Sequence, residues 1–187
     1  MRRLTMFENV TLDGFFTDAN GDMSWAHEQN QDDESKAFTS ENASGGGALV
    51  FGRITYQQME AFWPTPAAAQ AMPAVARAMN EMPKLVFSKS LDRVTWKNTT
   101  LLKGDPATEM RKLKKEPGPD MVIMGSGIIV SQLAAQGLID EYKLLVVPVV
   151  LGKGRTPFGG VEKNLKLKLT STRSFKNGNI YACYEPA

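Results

Sequence analysis

Three short stretches of the chain carry residue types that bind phosphate: Gly52-Arg53-Ile54-Thr55, Ser88-Lys89-Ser90 and Gly125-Ser126-Gly127. Each follows an apolar run that reads as a strand, and the first and third run on into a helix. Glycine lets the backbone turn sharply and approach a ligand closely. A helix starting directly afterwards presents unpaired N–H groups and the positive end of its dipole, which together attract a phosphate. Arg53 adds a guanidinium, Ser88 and Ser90 add hydroxyls, and Lys89 adds an ammonium. The spacing is not the Rossmann fingerprint, because the third glycine is missing. Any one of these stretches also reads as an ordinary strand-to-helix turn. Three of them suit a dinucleotide with a pyrophosphate and one further phosphate.

The elements that must position these turns can be read from the apolar pattern. Residues 121–124, Met-Val-Ile-Met, are apolar without alternation, as in a parallel strand covered on both faces. Residues 4–10, 48–51, 84–88 and 141–151 read as further strands, with short extended pieces at 94–96 and 99–102. Helices are predicted over 32–40, after Arg53 with Thr55 as its cap, from Pro73, over 107–115 behind Pro106, and over 128–136. Gly137 is the C-cap of the last of these. A polar loop leaves the first strand at Thr11-Leu12-Asp13-Gly14 and runs to Trp25. After residue 165, leucines alternate with lysines, Asn177-Gly178 marks a hairpin turn, and residues 179–184 return. The pattern predicts one α/β domain over residues 1–187, with three α/β/α layers, a mostly parallel sheet and a C-terminal antiparallel hairpin.

Composition narrows the chemistry. A net charge of +2 over 187 residues argues for neither nucleic acid nor a membrane surface. The single cysteine, Cys183, excludes a disulfide framework within the chain and reads as a small core residue. The N-terminal Met1-Arg2-Arg3 has no long apolar run behind it, so no signal peptide is expected, and the expected compartment is the cytoplasm. His27 reads as a surface residue. Lys112, Lys114 and Lys115 read as a solvated helix face. No metal site is expected.

At this level of detail the chain resembles the dihydrofolate reductase superfamily, in particular the branch of riboflavin-pathway reductase domains (RibD C-terminal type). Gly52-Arg53-Ile54-Thr55-Tyr56 is similar to the Gly-Arg-x-Thr-aromatic motif, and Ser88-Lys89-Ser90 occupies the place of the serine-bearing turn. Gly125-Ser126-Gly127 stands where the family's glycine pair stands, and Thr11-Leu12-Asp13-Gly14 resembles the Ser-Leu-Asp-Gly turn. The resemblance implies NADPH, with Arg53, Ser88 and Lys89 facing the 2′-phosphate. Thr55 and the backbone of Ile128 and Ile129 would hold the pyrophosphate. Gly52 would allow close approach, Gly125, Ser126 and Gly127 would lie near the nicotinamide ribose, and Thr11 near the carboxamide. On the substrate side, Asp13 is the polar candidate for catalysis or contact, though Asp before Gly is also a common turn former. Trp25 would wall the pocket or anchor its loop, and Lys153 with Arg155 would meet a substrate phosphate or serve equally as loop charges.

Three departures from the family pattern matter. No residue of Asn30-Gln31-Asp32-Asp33 matches the single carboxylate of the classical reductases cleanly, Ser126 replaces the second glycine, and Ile128 stands where an arginine could add a phosphate contact. The zinc deaminase that often accompanies these reductases is excluded, because His27 adjoins Glu28 and there is no cysteine pair. The expectation is an NADPH-dependent reductase of a small pterin or aminopyrimidine-like heterocycle, resembling 5-amino-6-(5-phosphoribosylamino)uracil reductase. The alternative is a non-catalytic NADP(H)-binding module on the same scaffold. The resemblance also implies a homodimer, formed through the long apolar strand and the terminal hairpin.

Overall fold

The computed structural model describes residues 1–29 and 32–187. Its strands are β1 (Leu4–Thr11), β2 (Ala48–Gly52), β3 (Lys84–Phe87), β4 (Thr99–Leu102), β5 (Met121–Met124), β6 (Glu141–Val147), β7 (Leu167–Ser174) and β8 (Ile180–Pro186). Its helices are α1 (Ser24–Gln29), α2 (Asp33–Ser44), α3 (Arg53–Phe62), α4 (Pro66–Ala71), α5 (Pro73–Glu81), α6 (Pro106–Lys115) and α7 (Gly127–Ala135). The strands form one eight-stranded sheet in the order β4-β3-β2-β5-β1-β6-β8-β7. The first six run parallel. β8 returns antiparallel to β6, and β7 pairs antiparallel with β8. This is the mostly parallel sheet with a C-terminal hairpin that the pattern predicts.

Burial on both faces explains the continuous apolar runs. Leu4, Met6, Val50 and Ile123 face Met110 of α6 and Val130 and Leu133 of α7. On the opposite face Leu49, Phe51 and Val86 meet Tyr56 of α3 and Val75 and Met79 of α5. Phe38 of α2 packs there against Leu145 and Phe175. Fully burying a side chain of this size contributes roughly 1.5–3 kcal/mol, so these two layers fix the register. Alternation along β1 then sends Leu4, Met6 and Glu8 toward the α7 side.

Several local expectations give way to specific hydrogen-bonding needs. The strand predicted over 141–151 ends at Val147, because Pro148 has no N–H to give the ladder. Residues 94–96 form no strand: the Trp96 N–H goes to the Tyr56 hydroxyl at 3.1 Å and its indole N–H to Asn80 Oδ1 at 2.7 Å. Trp25 lies on α1 rather than in a loop. Thr55 does not cap α3, whose N-cap is Gly52 without a side-chain bond. Asp32 caps α2 by accepting from the Ser35 N–H at 3.0 Å. Asn30 and Gln31, from the segment compared with the family carboxylate, lie outside the described residues.

Two lysines are buried against expectation or in unusual company. Lys114 leaves the predicted solvated face, donating to Asp140 Oδ2 at 2.5 Å and to the Leu138 carbonyl at 2.9 Å. Lys84, fully buried at the start of β3, donates to the carbonyls of Asn80, Met82 and Lys97 at 3.2, 2.8 and 3.2 Å. Its amino group also stands 4.3 Å from the Trp96 ring centroid. Lys84 thereby pins the α5–β3 and β3–β4 connections at the edge of the sheet opposite the Gly52 and Gly125 turns. Lys84→Ala strands these carbonyls and leaves a void, so a loss of about 2–3 kcal/mol is expected in urea unfolding. A loss below about 0.5 kcal/mol would show that water replaces the ammonium there without penalty.

Candidate functional site

The parallel order β3-β2-β5-β1 places the ends of these strands side by side along the carboxyl edge of the sheet. Ligands of open α/β sheets bind beyond that edge. The register sets Gly52 beside Phe87, and Val50 beside Ile123. The Ser88 turn, the Gly52 turn and the Gly125 turn are therefore neighbours in that order, and Thr11 follows at the end of β1.

The two glycine turns touch. A Cβ built on Gly52 would run into Ser126 Oγ and stand 2.9 Å from Ser126 Cβ. A Cβ on Gly125 would stand 3.0 Å from Thr55 Cγ2 and 3.2 Å from its Oγ1. A Cβ on Gly127 would meet Phe16 Cε1 at 2.8 Å and the Thr156 carbonyl at 3.2 Å. Thr55 thus serves by contact with the second turn. Gly125 and Ser126 both adopt left-handed backbone, with φ 74° and 76°. For serine that conformation is strained. It rotates the chain from β5 directly into α7, whose exposed first-turn residue Ile128 leaves the helix start open while Ile129 packs into the core.

The polar side chains around these turns are differently committed. Arg53 is exposed, and its guanidinium donates to Gln57 Oε1 at 3.1 Å, one helical turn on. Ser88 Oγ accepts from the N–H groups of Ser90 and Leu91 at 3.2 and 3.0 Å, shaping its own turn. Lys89 is exposed beside it. Thr11 is buried; its hydroxyl donates to Asp13 Oδ1 at 2.6 Å and accepts from the Phe15 N–H at 3.0 Å. Asp13 also accepts from the N–H groups of Leu151 and Gly152 at 3.3 and 2.7 Å. The Thr11 hydroxyl, followed by these backbone donors, holds the Asp13 carboxyl below the usual carboxylate range. An ionised carboxylate with both oxygens engaged suits a loop anchor more than a proton donor.

Asp13 fastens the loop after β1 to the segment carrying Lys153, and a backbone pair between Thr17 and Arg155 zips the two further. Lys153 itself is exposed. Trp25 packs with Ala26 on Val147, with Val149 and Leu151 alongside. Its indole N–H is buried without a hydrogen-bond partner among the described residues. Among the described residues no group of three His, Cys, Asp or Glu side chains could hold a metal, and no helix is long and apolar enough to cross a membrane.

Sequence reasoning missed Glu8. It sits in β1 in the inward phase of Leu4 and Met6, is 3% exposed, and adjoins the Gly125 turn. The signal was a charged residue at an apolar-phase position of a strand buried on both faces, where such residues are rarely found unpaired.

A parallel sheet with adjoining strand-end turns and an antiparallel C-terminal hairpin defines a scaffold of the dihydrofolate reductase kind. Residues 2–181 match the RibD C-terminal domain, and the chain belongs to that family. It is 27% identical over 183 residues to the uncharacterized protein YyaP of Bacillus subtilis (strain 168), covering 98% of this chain and 94% of that one. Its fold is similar to the diaminohydroxyphosphoribosylaminopyrimidine deaminase/5-amino-6-(5-phosphoribosylamino)uracil reductase of Thermotoga maritima (TM-score 0.69, 18% identity), covering 100% of this chain and 57% of that protein. It is also similar to dihydrofolate reductase from Enterococcus faecalis complexed with NADP(H) (TM-score 0.59, 13% identity, 98% and 96% covered).

Proposed function

We propose that this protein is an NADPH-dependent reductase acting on a small heterocycle of the pterin or aminopyrimidine kind. The observation that carries the reading is the contact between the Gly52 and Gly125 turns, flanked by Ser88 and Lys89 on one side and Thr11 on the other. The turns suit the cofactor, because Gly52, Gly125 and Gly127 let them close on Ser126, Thr55 and Phe16 while the start of α7, with Ile128 exposed, lies at the same edge. When bound, NADPH supplies a hydride. Arg53, Ser88 and Lys89 would bind the 2′-phosphate, and Thr55 with the N–H groups of Ile128 and Ile129 the pyrophosphate. Gly125, Ser126, Gly127 and Thr11 would line the nicotinamide end.

The rest of the chain's work is orientation and exclusion of water, which hydride transfer needs more than it needs an acid. Asp13 positions the loop that brings Lys153 to the same edge, where its ammonium suits an anionic group on the substrate. Trp25 offers an apolar wall, its indole N–H buried without a partner among the described residues. The engaged state of Asp13 keeps a second reading open, a nucleotide-binding module without turnover. We also propose one domain over residues 1–187 in a homodimer formed through the β6–β8–β7 end, where Leu169 and Ile180 are exposed. Sedimentation as a monomer at micromolar concentration would remove the dimer.

Titration with NADPH and NADH, followed by tryptophan fluorescence and calorimetry, tests the cofactor. Tight, NADPH-preferring binding is expected; no binding of either nucleotide would overturn the proposal. Oxidation of bound NADPH on adding pterins or aminopyrimidines separates the reductase from the module. Arg53→Ala is expected to weaken NADPH roughly tenfold, the scale of one charged hydrogen bond, and NADH much less. Equal losses would show that Arg53 does not meet the 2′-phosphate.

A further inference from the structure

Glu8 is the one buried acid at the carboxyl edge of the sheet whose side chain the fold leaves incompletely partnered among the described residues. Its Oε2 has no partner among the described residues, and the carboxyl adjoins the backbone of Gly125. Pairing of β1 with β5 runs to Phe7 and Met124, so Glu8 and Gly125 stand next to each other just beyond the ladder. Among the described residues the packed elements bring it no countercharge, the buried Lys114 of α6 being paired with Asp140. β5 and β2 are uncharged throughout, and α7 carries only Ser131 and Gln132 as polar residues. β6 presents Tyr142 and Leu144 in this phase, while its Glu141 and Lys143 pair with each other at 3.1 Å. Burial accordingly pushes the Glu8 carboxyl up to about 8, against the smaller opposing effect of the Gly125 N–H. The layer needs no carboxyl for packing, since an apolar side chain would fill the space without leaving an oxygen unsatisfied.

We propose that Glu8 is a positioning residue for the nucleotide turn: its buried carboxyl holds the Gly125 peptide in the left-handed form that opens the start of α7, and loss of its proton weakens nucleotide binding. The proposal rests on the reading of this turn as a nucleotide site. In the neutral form the carboxyl needs few donors, and facing the Gly125 peptide leaves the first-turn N–H groups of α7 free. Once ionised, a buried carboxylate short of donors draws N–H groups toward itself. The nearest are those at the α7 start, which a pyrophosphate would otherwise take. Its negative charge also repels the pyrophosphate through a medium that screens less than water. Both effects have the same sign. Together they are expected to weaken binding by about an order of magnitude, the scale of one like charge acting through a medium that screens less than water.

NADH is the cleaner probe because it lacks the titrating 2′-phosphate, with NADPH measured in parallel. The wild-type affinity for NADH is expected to fall roughly tenfold between pH 6.5 and 9. Glu8→Gln, neutral at every pH and nearly isosteric, is expected to keep the low-pH affinity throughout. Without any nucleotide, the amide resonances of Gly125 and Ser126 in a nitrogen-15 correlation spectrum are expected to titrate together in the wild type and to stay fixed in Glu8→Gln. The same NADH slope in both proteins, or a Gly125 amide that does not titrate, would overturn the proposal. If neither nucleotide binds at any pH, the cofactor reading fails, and the amide titration alone then decides whether Glu8 governs the turn.

Discussion

Replacing Gly52 by alanine is expected to force the two strand-end turns apart and to cost the protein both stability and nucleotide affinity. The backbone imposes no penalty, because Gly52 has φ −83°, a value open to any residue. The whole cost is steric. The new methyl would run into Ser126 Oγ and stand 2.9 Å from Ser126 Cβ. The hydroxyl can rotate away, but the Cβ is part of a turn already held at φ 76°. Overpacking of a rigid contact costs about 1–3 kcal/mol, and a displaced α7 start is expected to lower NADPH affinity at least tenfold. Ser126→Gly supplies the control. It removes both atoms that the methyl strikes and relieves a left-handed penalty of about 1 kcal/mol, partly offset by the freedom glycine adds to the unfolded chain. Combined with Ser126→Gly, the Gly52→Ala change should cost less than about 0.5 kcal/mol, since the next neighbour, Ile129 Cγ1, lies at an ordinary 3.5 Å. Urea midpoints and NADPH dissociation constants for the four proteins measure the coupling directly. Additive effects would mean that the turns slide past each other freely and that their contact does not shape the site.

The three strand-end turns were legible because each follows directly on an apolar run, whereas the packing of Gly52 on Ser126 and of Gly125 on Thr55 was not. The parallel order then follows from runs buried on both faces, and the hairpin from alternation and Asn177-Gly178. What stayed hidden depended on partners distant in sequence. Lys114 reads as one more lysine on a charged helix until the chain brings Asp140 and the Leu138 carbonyl to it. Trp96 sits in a β-favouring triplet, yet the Tyr56 hydroxyl and Asn80 claim its donors and keep it out of the sheet. The loop role of Asp13 depends on N–H groups at residues 151 and 152, far along the chain. Glu8 was hidden differently. Its phase in β1 was readable, but only the neighbouring turn shows that nothing on the facing elements neutralises it.

The stability of the protein is expected to decline as pH rises from about 4.5 to about 8, and Glu8→Gln should abolish that decline. The sign follows from proton counting. In the unfolded chain Glu8 ionises around its ordinary value of 4.5, whereas in the folded protein burial keeps it protonated until about 8. Between those values the folded state binds more protons than the unfolded state, so stability falls with pH, by up to about 1.4 kcal/mol per unit. At pH 7 the wild type would then have lost on the order of 3 kcal/mol relative to pH 4.5. Glutamine carries no such linkage. Its amide oxygen can still face the Gly125 peptide, though its own N–H₂ is left poorly matched at a cost of roughly 1 kcal/mol. The variant should therefore be about 2 kcal/mol more stable than the wild type at pH 7 and slightly less stable near pH 4.5, with the curves crossing between. Urea unfolding at half-unit intervals from pH 4.5 to 9 reads this out, and parallel curves would show that Glu8 ionises freely in the folded state. A crossing has a consequence for function. A residue that lowers stability at neutral pH, where a near-isosteric neutral one would raise it, is retained at a cost that packing does not explain. Its place beside Gly125 makes the proposed nucleotide turn the site where we infer that cost is recovered.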